Sequence, residues 1–402
     1  MVFKKESIKY SLNNLKHRRV RSAFTVISIL VGIATIFIFV SFGMGLYKYV
    51  DSISSGGSAD KIIIQAKGTS AAGLDTTFAL LDDDLHAVEK TSGVYDATGM
   101  YMKSGEVKRD KKVVYTLVMG LDPKKPLIAE LSDLKIAEGR ELVSGEKNVV
   151  LGYNYMIADK IFSRPYSLGD KIEIQGQKIK IVGFYQSVGN PQDDAQIYLT
   201  KDFMEEVYSN ETLSYSWIIA KVDKSNIDQV VKDVENNLRK ERNLDKGKED
   251  FFVQSFEDMI ATYKTVLDMV VGFIILIALI SVLVSAVNTA NTMITSVLER
   301  IREIGVMKSI GARNSEIFKI FLFESSFLGF VAGCLGVLLG LIITFIGGKI
   351  LLSLGYGFLK PDYSFILFFG CIAFATLTGA ISGVIPAYKA MKINPVDALR
   401  YE

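Results

Sequence analysis

Four long apolar stretches constrain this 402-residue chain more than any other feature, because one lies near the N-terminus and three fill the C-terminal third. Ser22–Tyr47, Met269–Leu298, Ser325–Gly348 and Tyr363–Tyr388 contain no Asp, Glu, Lys, Arg or His. A helix rises about 1.5 Å per residue, so about 20 residues cross roughly 30 Å of hydrocarbon, and each stretch is long enough. The pattern predicts an α-helical membrane protein with four transmembrane helices, at 22–47, 267–298, 325–348 and 363–388. An α/β extracytoplasmic domain over 48–266 is inserted between helices 1 and 2.

Basic residues set the orientation. The tail over 1–21 carries Lys4, Lys5, Lys9, Lys16, Arg18, Arg19 and Arg21. The loop over 299–324 carries Arg300, Arg302, Lys308, Arg313 and Lys319, and the tail over 389–402 carries Lys389, Lys392 and Arg400. The loop over 349–362 has only Lys349 and Lys360. The positive-inside rule therefore puts both termini in the cytoplasm and the large domain outside. The first stretch is too long for a signal-peptide core and reads as an uncleaved anchor.

A 49% hydrophobic content suits a chain that is part membrane and part folded domain, and a net charge of +2 offers nothing for nucleic acid. Cys334 and Cys371 fall within the apolar stretches, so the outer domain is expected to hold together without a disulfide. Within it, 60–67 reads as a strand and 81–90 as a short helix with Asp at its start. Val107–Leu121 and Lys171–Phe184 have hairpin patterning, the second about Gln175, Gly176 and Gln177. Ser216–Val222 reads as a strand. Ile227, Val230, Val231, Val234 and Leu238 recur at helical spacing, as in a helix lying on a sheet. Ser54–Ser58 reads as a linker.

No GxxxxGK loop, HExxH or Cys/His cluster is present, and His17 and His86 fall on opposite sides of the membrane in this topology. A phosphate-binding, hydrolytic or metal site on these residues is not expected. The third stretch instead places Gly329, Gly333, Gly336 and Gly340 on one face, and the fourth repeats the spacing with Gly379 and Gly383. These glycines serve either packing within the chain or a dimer interface. Ser281, Ser285, Asn288, Thr289, Thr292 and Ser296 form a polar stripe along the second.

The loop from Glu299 reads ERIREIGVMKSIGARNSEIFKIFLFES. Ile301, Ile304 and Met307 share one side, Gly311 can end a helix, and Asn314 is placed to cap the next. Basic residues alone would serve a membrane anchor. The interspersed Glu299, Glu303 and Glu316 and the ordered apolar side point to a helix that docks a protein.

These residues, the closing IPAYKAMKINPVDALRYE and the one-plus-three layout resemble the ABC transporter permeases of the MacB and FtsX type. VVLGYNYMIADKIF followed by LGDKIEIQGQKIKIVGF is similar to the MacB-like core domain that such permeases carry outside the membrane. The resemblance implies a non-catalytic subunit that works by mechanotransmission in a cell membrane, as a dimer with a second copy or a paralogue. Two copies of a separate ATPase use ATP and Mg, while this chain binds no cofactor itself. Lipid and an accessory extracytoplasmic protein are further implied partners, and nucleic acid is not. The coupling helix then holds Glu299, Arg300, Glu303, Gly305, Lys308, Gly311 and Ala312. A C-terminal motif near the same surface holds Pro386, Pro395, Ala398 and Leu399. The implied function is export or extraction of a peptide, drug or lipid-like substrate. The alternative is a transmembrane signalling or scaffold subunit that activates an extracellular cell-wall hydrolase. The chain departs from exporters that carry the ATPase on the same polypeptide.

Overall fold

The computed structural model describes residues 19–54, 59–67 and 79–400. Most of the basic tail at 1–21 and of the linker at Ser54–Ser58 lies outside them. Two compact units result. One comprises the described residues within Met1–Leu46, Val266–Ile350 and Leu359–Glu402, and the other Tyr47–Thr265 with Leu351–Phe358.

In chain order, α1 (Arg19–Ser54) is followed by β1 (Lys61–Ala66), α2 (Asp82–Glu89), β2 (Val94–Arg109), β3 (Lys112–Leu121) and α3 (Leu127–Leu131). Next come β4 (Ile136–Gly139), β5 (Asn148–Leu151), β6 (Lys171–Ile174), β7 (Gln177–Tyr185), β8 (Ile197–Thr200), α4 (Lys201–Val207) and β9 (Tyr215–Val222). The chain continues with α5 (Ile227–Glu241), β10 (Phe251–Ser255), α6 (Phe256–Glu299), α7 (Ile301–Ser309), α8 (Asn314–Leu354), α9 (Phe365–Met391) and α10 (Pro395–Arg400).

The second unit is built on one ten-stranded sheet in the order β10-β1-β9-β2-β3-β8-β5-β7-β4, with β6 pairing β2 and β7. Most ladders are antiparallel, whereas β3–β8 and β5–β7 are parallel. Both expected hairpins form. Asp110 takes φ 54° in the turn between β2 and β3, and Gln175 and Gly176 take φ 49° and 77° between β6 and β7. In the second turn, positive φ at both central residues matches the twist of paired strands. On one face of the sheet Val230, Val234 and Leu238 of α5 and Val88 of α2 join Ile62, Ile64, Ile218 and Ala220 in the core. Arg242 ties this layer together, since it donates to both carboxylate oxygens of Asp250 (3.0 and 2.7 Å) and to Asp84 (2.8 Å). Leu351–Phe358 belong to the same unit, where the Phe358 N–H donates to the Gly189 carbonyl (3.2 Å).

Among the described residues, four helices are long and apolar enough to cross a membrane: Thr25–Ile53 within α1, and α6, α8 and α9. They extend beyond the stretches marked by apolarity alone. The second, expected at 267–298, begins at Phe256. Ser255 caps it by accepting the Asp258 N–H (3.0 Å), and Glu257 and Asp258 follow in the first turn, where carboxylates oppose the helix dipole. The third, expected at 325–348, runs Asn314–Leu354. Its first carbonyl acceptor is Arg313, which bonds the Glu316 and Ile317 N–H groups, so Asn314 is the first helical residue and not the cap.

Within the helical unit, α1 packs on α8 and α9 through Ile29, Ile33, Phe37, Ala332, Val337, Leu367, Cys371 and Ala375. The Ser285 hydroxyl on α6 donates to the Ser28 carbonyl of α1 (2.9 Å). The polar stripe of α6 is accordingly split: Ser285, Thr289 and Ser296 are buried, Thr292 is half-buried, and Ser281 and Asn288 are exposed.

Candidate coupling interface

The break between α6 and α7 falls on Arg300, whose carbonyl accepts the Ile304 N–H (3.0 Å). The α7 helix is amphipathic, and its inner side belongs to a cluster of Met293, Val297, Ile304, Ile317, Phe321, Leu328, Ala387 and Ala390. Ala312 and Met307 pack against that cluster. The two sequence motifs of the resemblance therefore meet in one place, the loop after α6 against the end of α9.

Both basic residues expected in the coupling helix turn inward. The Arg300 side chain is 4% exposed, its Nη1 lies 3.2 Å from Glu324 and its Nε 3.2 Å from Glu303. The guanidinium carbon sits 5.3 Å from the centre of the Phe321 ring. Lys308 Nζ donates to the Met391 (2.6 Å) and Ile393 (2.8 Å) carbonyls, which places a cation at the C-terminal end of α9. Desolvation holds the Lys308 ammonium below the ordinary lysine pKa.

Gly311 closes α7. Its φ is +99°, its N–H bonds the Lys308 carbonyl (3.0 Å), and the Ala312 N–H bonds the Met307 carbonyl (3.0 Å). This paired pattern is the Schellman termination, which calls for a left-handed residue at that point. A Cβ at Gly311 would meet nothing within 4 Å, so the constraint is conformational and not steric. Asn394 starts α10, accepting the Val396 N–H (3.2 Å) ahead of Pro395. The α10 helix packs against α7, with Ala398 1% exposed. Pro386 is buried inside α9, Gly305 is buried on α7, and the Leu399 side chain lies outside the described residues.

The exposed side of this segment combines expected residues with others. Glu299 and Glu303 are exposed, and so are Arg302, Ser309 and Arg313. Val306 is 46% exposed, Ile310 80%, and Val396 of α10 63%. Sequence reading missed Val306 and Ile310 although the signal was present. Once Ile301, Ile304 and Met307 fill the inner side, these two fall opposite, where a helix with no partner would carry polar groups.

The six span glycines all lie against neighbouring helices of the same chain. A Cβ at Gly329 would come 2.4 Å from the Ala375 oxygen and one at Gly333 2.8 Å from the Ala375 Cβ. At Gly336 and Gly340 it would meet Leu30 O and Phe37 of α1 at 2.9 Å. At Gly379 and Gly383 it would meet Ser325, at 2.5 Å from the carbonyl oxygen and 1.8 Å from the hydroxyl. Of the two sequence readings, these contacts supply packing within the chain.

A family model described as the MacB-like periplasmic core domain matches residues 22–237, and one described as the FtsX-like permease C-terminal region matches 275–395. An uncharacterized ABC transporter permease of Methanocaldococcus jannaschii is 32% identical over 401 residues, covering 98% of both chains. The uncharacterized ABC transporter permease YknZ of Bacillus subtilis is 27% identical across 99% of each chain. The macrolide export ATP-binding/permease protein MacB of Neisseria gonorrhoeae is 26% identical over 98% of this chain, which spans 60% of that longer protein. The chain thus belongs to the ABC transporter permeases of the MacB and FtsX type, as a multi-pass membrane protein with a MacB-like α/β domain between its first and second long helices.

Proposed function

We propose that this chain transmits force and performs no catalysis: a separate cytoplasmic ATPase, in two copies and holding ATP and Mg, docks on the exposed side of α7. Its closure moves the long helices of a permease dimer, and the outer domains act on a substrate already outside the membrane. Both termini lie in the cytoplasm in this reading, which the basic residues after α6 and after α9 support. The substrate is a peptide, a drug or a lipid-like molecule, delivered with an accessory extracytoplasmic protein.

The observation that carries the proposal is the division of labour on α7. Its inner side is fixed by Arg300, Ile304 and Lys308, while Val306 and Ile310 remain exposed, as does Val396 on α10. Apolar side chains on an amphipathic helix with a firmly held back are the anchors of helix-in-groove recognition. The mechanism has a continuous element to use, since α6 runs without interruption from Phe256 to Glu299. The test is a Val306→Asp/Ile310→Asp double variant in the tagged chain, purified from its native membrane. It should insert and fold normally and lose the co-purifying ATPase. Retention of the ATPase at the wild-type ratio would refute docking on this face.

A further inference from the structure

We infer that Arg300 and Glu324 form an internal joint through which displacement of α7 passes to α8, so that Arg300 is a positioning residue and makes no contact with the ATPase. This inference rests on the docking reading above and adds the path that follows docking. Arg300 stands at the one-residue break between α6 and α7, with φ −115° and ψ 16°, so its backbone defines the angle at which α7 leaves α6. Its side chain is turned away from the docking side. The Nη1–Glu324 distance is 3.2 Å, and the two side chains are 4% and 6% exposed.

A charge pair removed from water is held far more firmly than one at the surface, because separating it leaves two uncompensated buried charges. Tilting α7 must therefore carry α8 with it or break that pair. The ring of Phe321, one turn before Glu324 on the same helix, covers the guanidinium and narrows the path by which water could replace the lost contact. Glu303 takes the Nε side (3.2 Å) and is itself 57% exposed, so it orients the arginine from the solvent side while Glu324 anchors it within. A docking residue needs an accessible side chain, and Arg300 has almost none.

The test uses the tagged chain with its co-purified ATPase in lipid nanodiscs and reads two quantities. One is the ATPase retained; the other is the change in amide hydrogen exchange over the sheet strands on adding a non-hydrolysable ATP analogue. Arg300→Met/Glu324→Met replaces both charges with apolar side chains of similar size, so folding and insertion should survive. This variant should retain the ATPase and lose the nucleotide-dependent change. The swapped pair Arg300→Glu/Glu324→Arg, in a Glu303→Gln background so that the moved carboxylate meets no like charge, should restore it. A methionine pair that keeps the change, or that loses the ATPase, overturns the inference. So does a swapped pair that restores nothing. Loss of the ATPase from the wild-type chain would instead count against the docking reading itself.

Discussion

Gly329 of α8 and Gly379 of α9 cross with no side chain between them: a Cβ on Gly379 would lie 3.0 Å from the Gly329 Cα, and one on Gly329 would lie 3.1 Å from the Gly379 Cα. The Ser325 carbonyl oxygen stands even closer to the Cβ on Gly379, at 2.5 Å, and it is backbone that cannot rotate aside. Helix pairs in membranes gain their stability from such close packing, since lipid offers no hydrophobic drive toward association. Gly379→Val should push α8 and α9 apart at a cost of about 1–3 kcal/mol or more. Thermal aggregation of the detergent-purified chain measures it. The variant should aggregate at a clearly lower temperature than wild type, whereas Gly370→Val, where a Cβ meets nothing within 4 Å, should not.

Gly311 tests the end of α7. An L-residue at φ +99° strains the backbone by about 1–2 kcal/mol, so Gly311→Ala should weaken the helix terminus modestly. Gly311→Pro should do far more, because proline fixes φ near −65° and removes the N–H that bonds the Lys308 carbonyl. Co-purification of the ATPase should fall slightly for alanine and be lost for proline, with insertion unaffected in both. Equal retention in the two variants would show that the terminus of α7 does not shape the docking face.

Lys308→Met should free the end of α9. Two carbonyls, those of Met391 and Ile393, lose their shared donor, at about 1–3 kcal/mol for polar groups left unsatisfied away from water. Hydrogen exchange is the measurement. The Ala398 amide, which bonds the Asn394 carbonyl, should exchange faster in the variant because α10 rests on α7. Unchanged protection would mean that α10 is held without the lysine.

The sheet unit has an acid-sensitive contact that its single tryptophan, Trp217 on β9, can report. The hydrogen bond from the Tyr215 hydroxyl, together with Lys201, holds the Asp82 carboxyl below its usual pKa. A depressed carboxylate stabilises the fold above its unfolded pKa of about 3.9, and that contribution is lost as pH falls through the folded value. The effect is small, because the Asp82 side chain is 66% exposed and screened by solvent. Asp193 works in the opposite sense, since burial raises its pKa and its protonated form is favoured as pH falls. Urea unfolding followed by Trp217 fluorescence should therefore show a smaller loss of stability between pH 6 and pH 3 for Asp82→Asn than for wild type. Parallel curves would show that this contact carries no acid dependence.

Much of the fold was legible because bilayer thickness and strand alternation are local. The apolar runs mark the four long helices, and the Gln175-Gly176 turn marks its hairpin. Helix ends were legible in principle and misread, as SerPheGluAsp at Ser255–Asp258 announces the start of α6 well before its apolar run. The short strands β4, β5 and β8 were hidden because their stability comes from partners distant in sequence, as Val150 opposite Tyr198 shows. At the candidate interface, the helix and its Gly311 stop were readable from spacing. The inward turn of Arg300 was not, because Glu324 lies 24 residues away and nothing local links them.

Photo-crosslinking at Ile310 tests the central claim most directly. A photoreactive amino acid at position 310 or 306 should form an adduct with the cytoplasmic ATPase in the native membrane, while the same probe at the buried Ile317 should form none. Absence of an ATPase adduct at both exposed positions, with the complex otherwise assembled, would contradict the account.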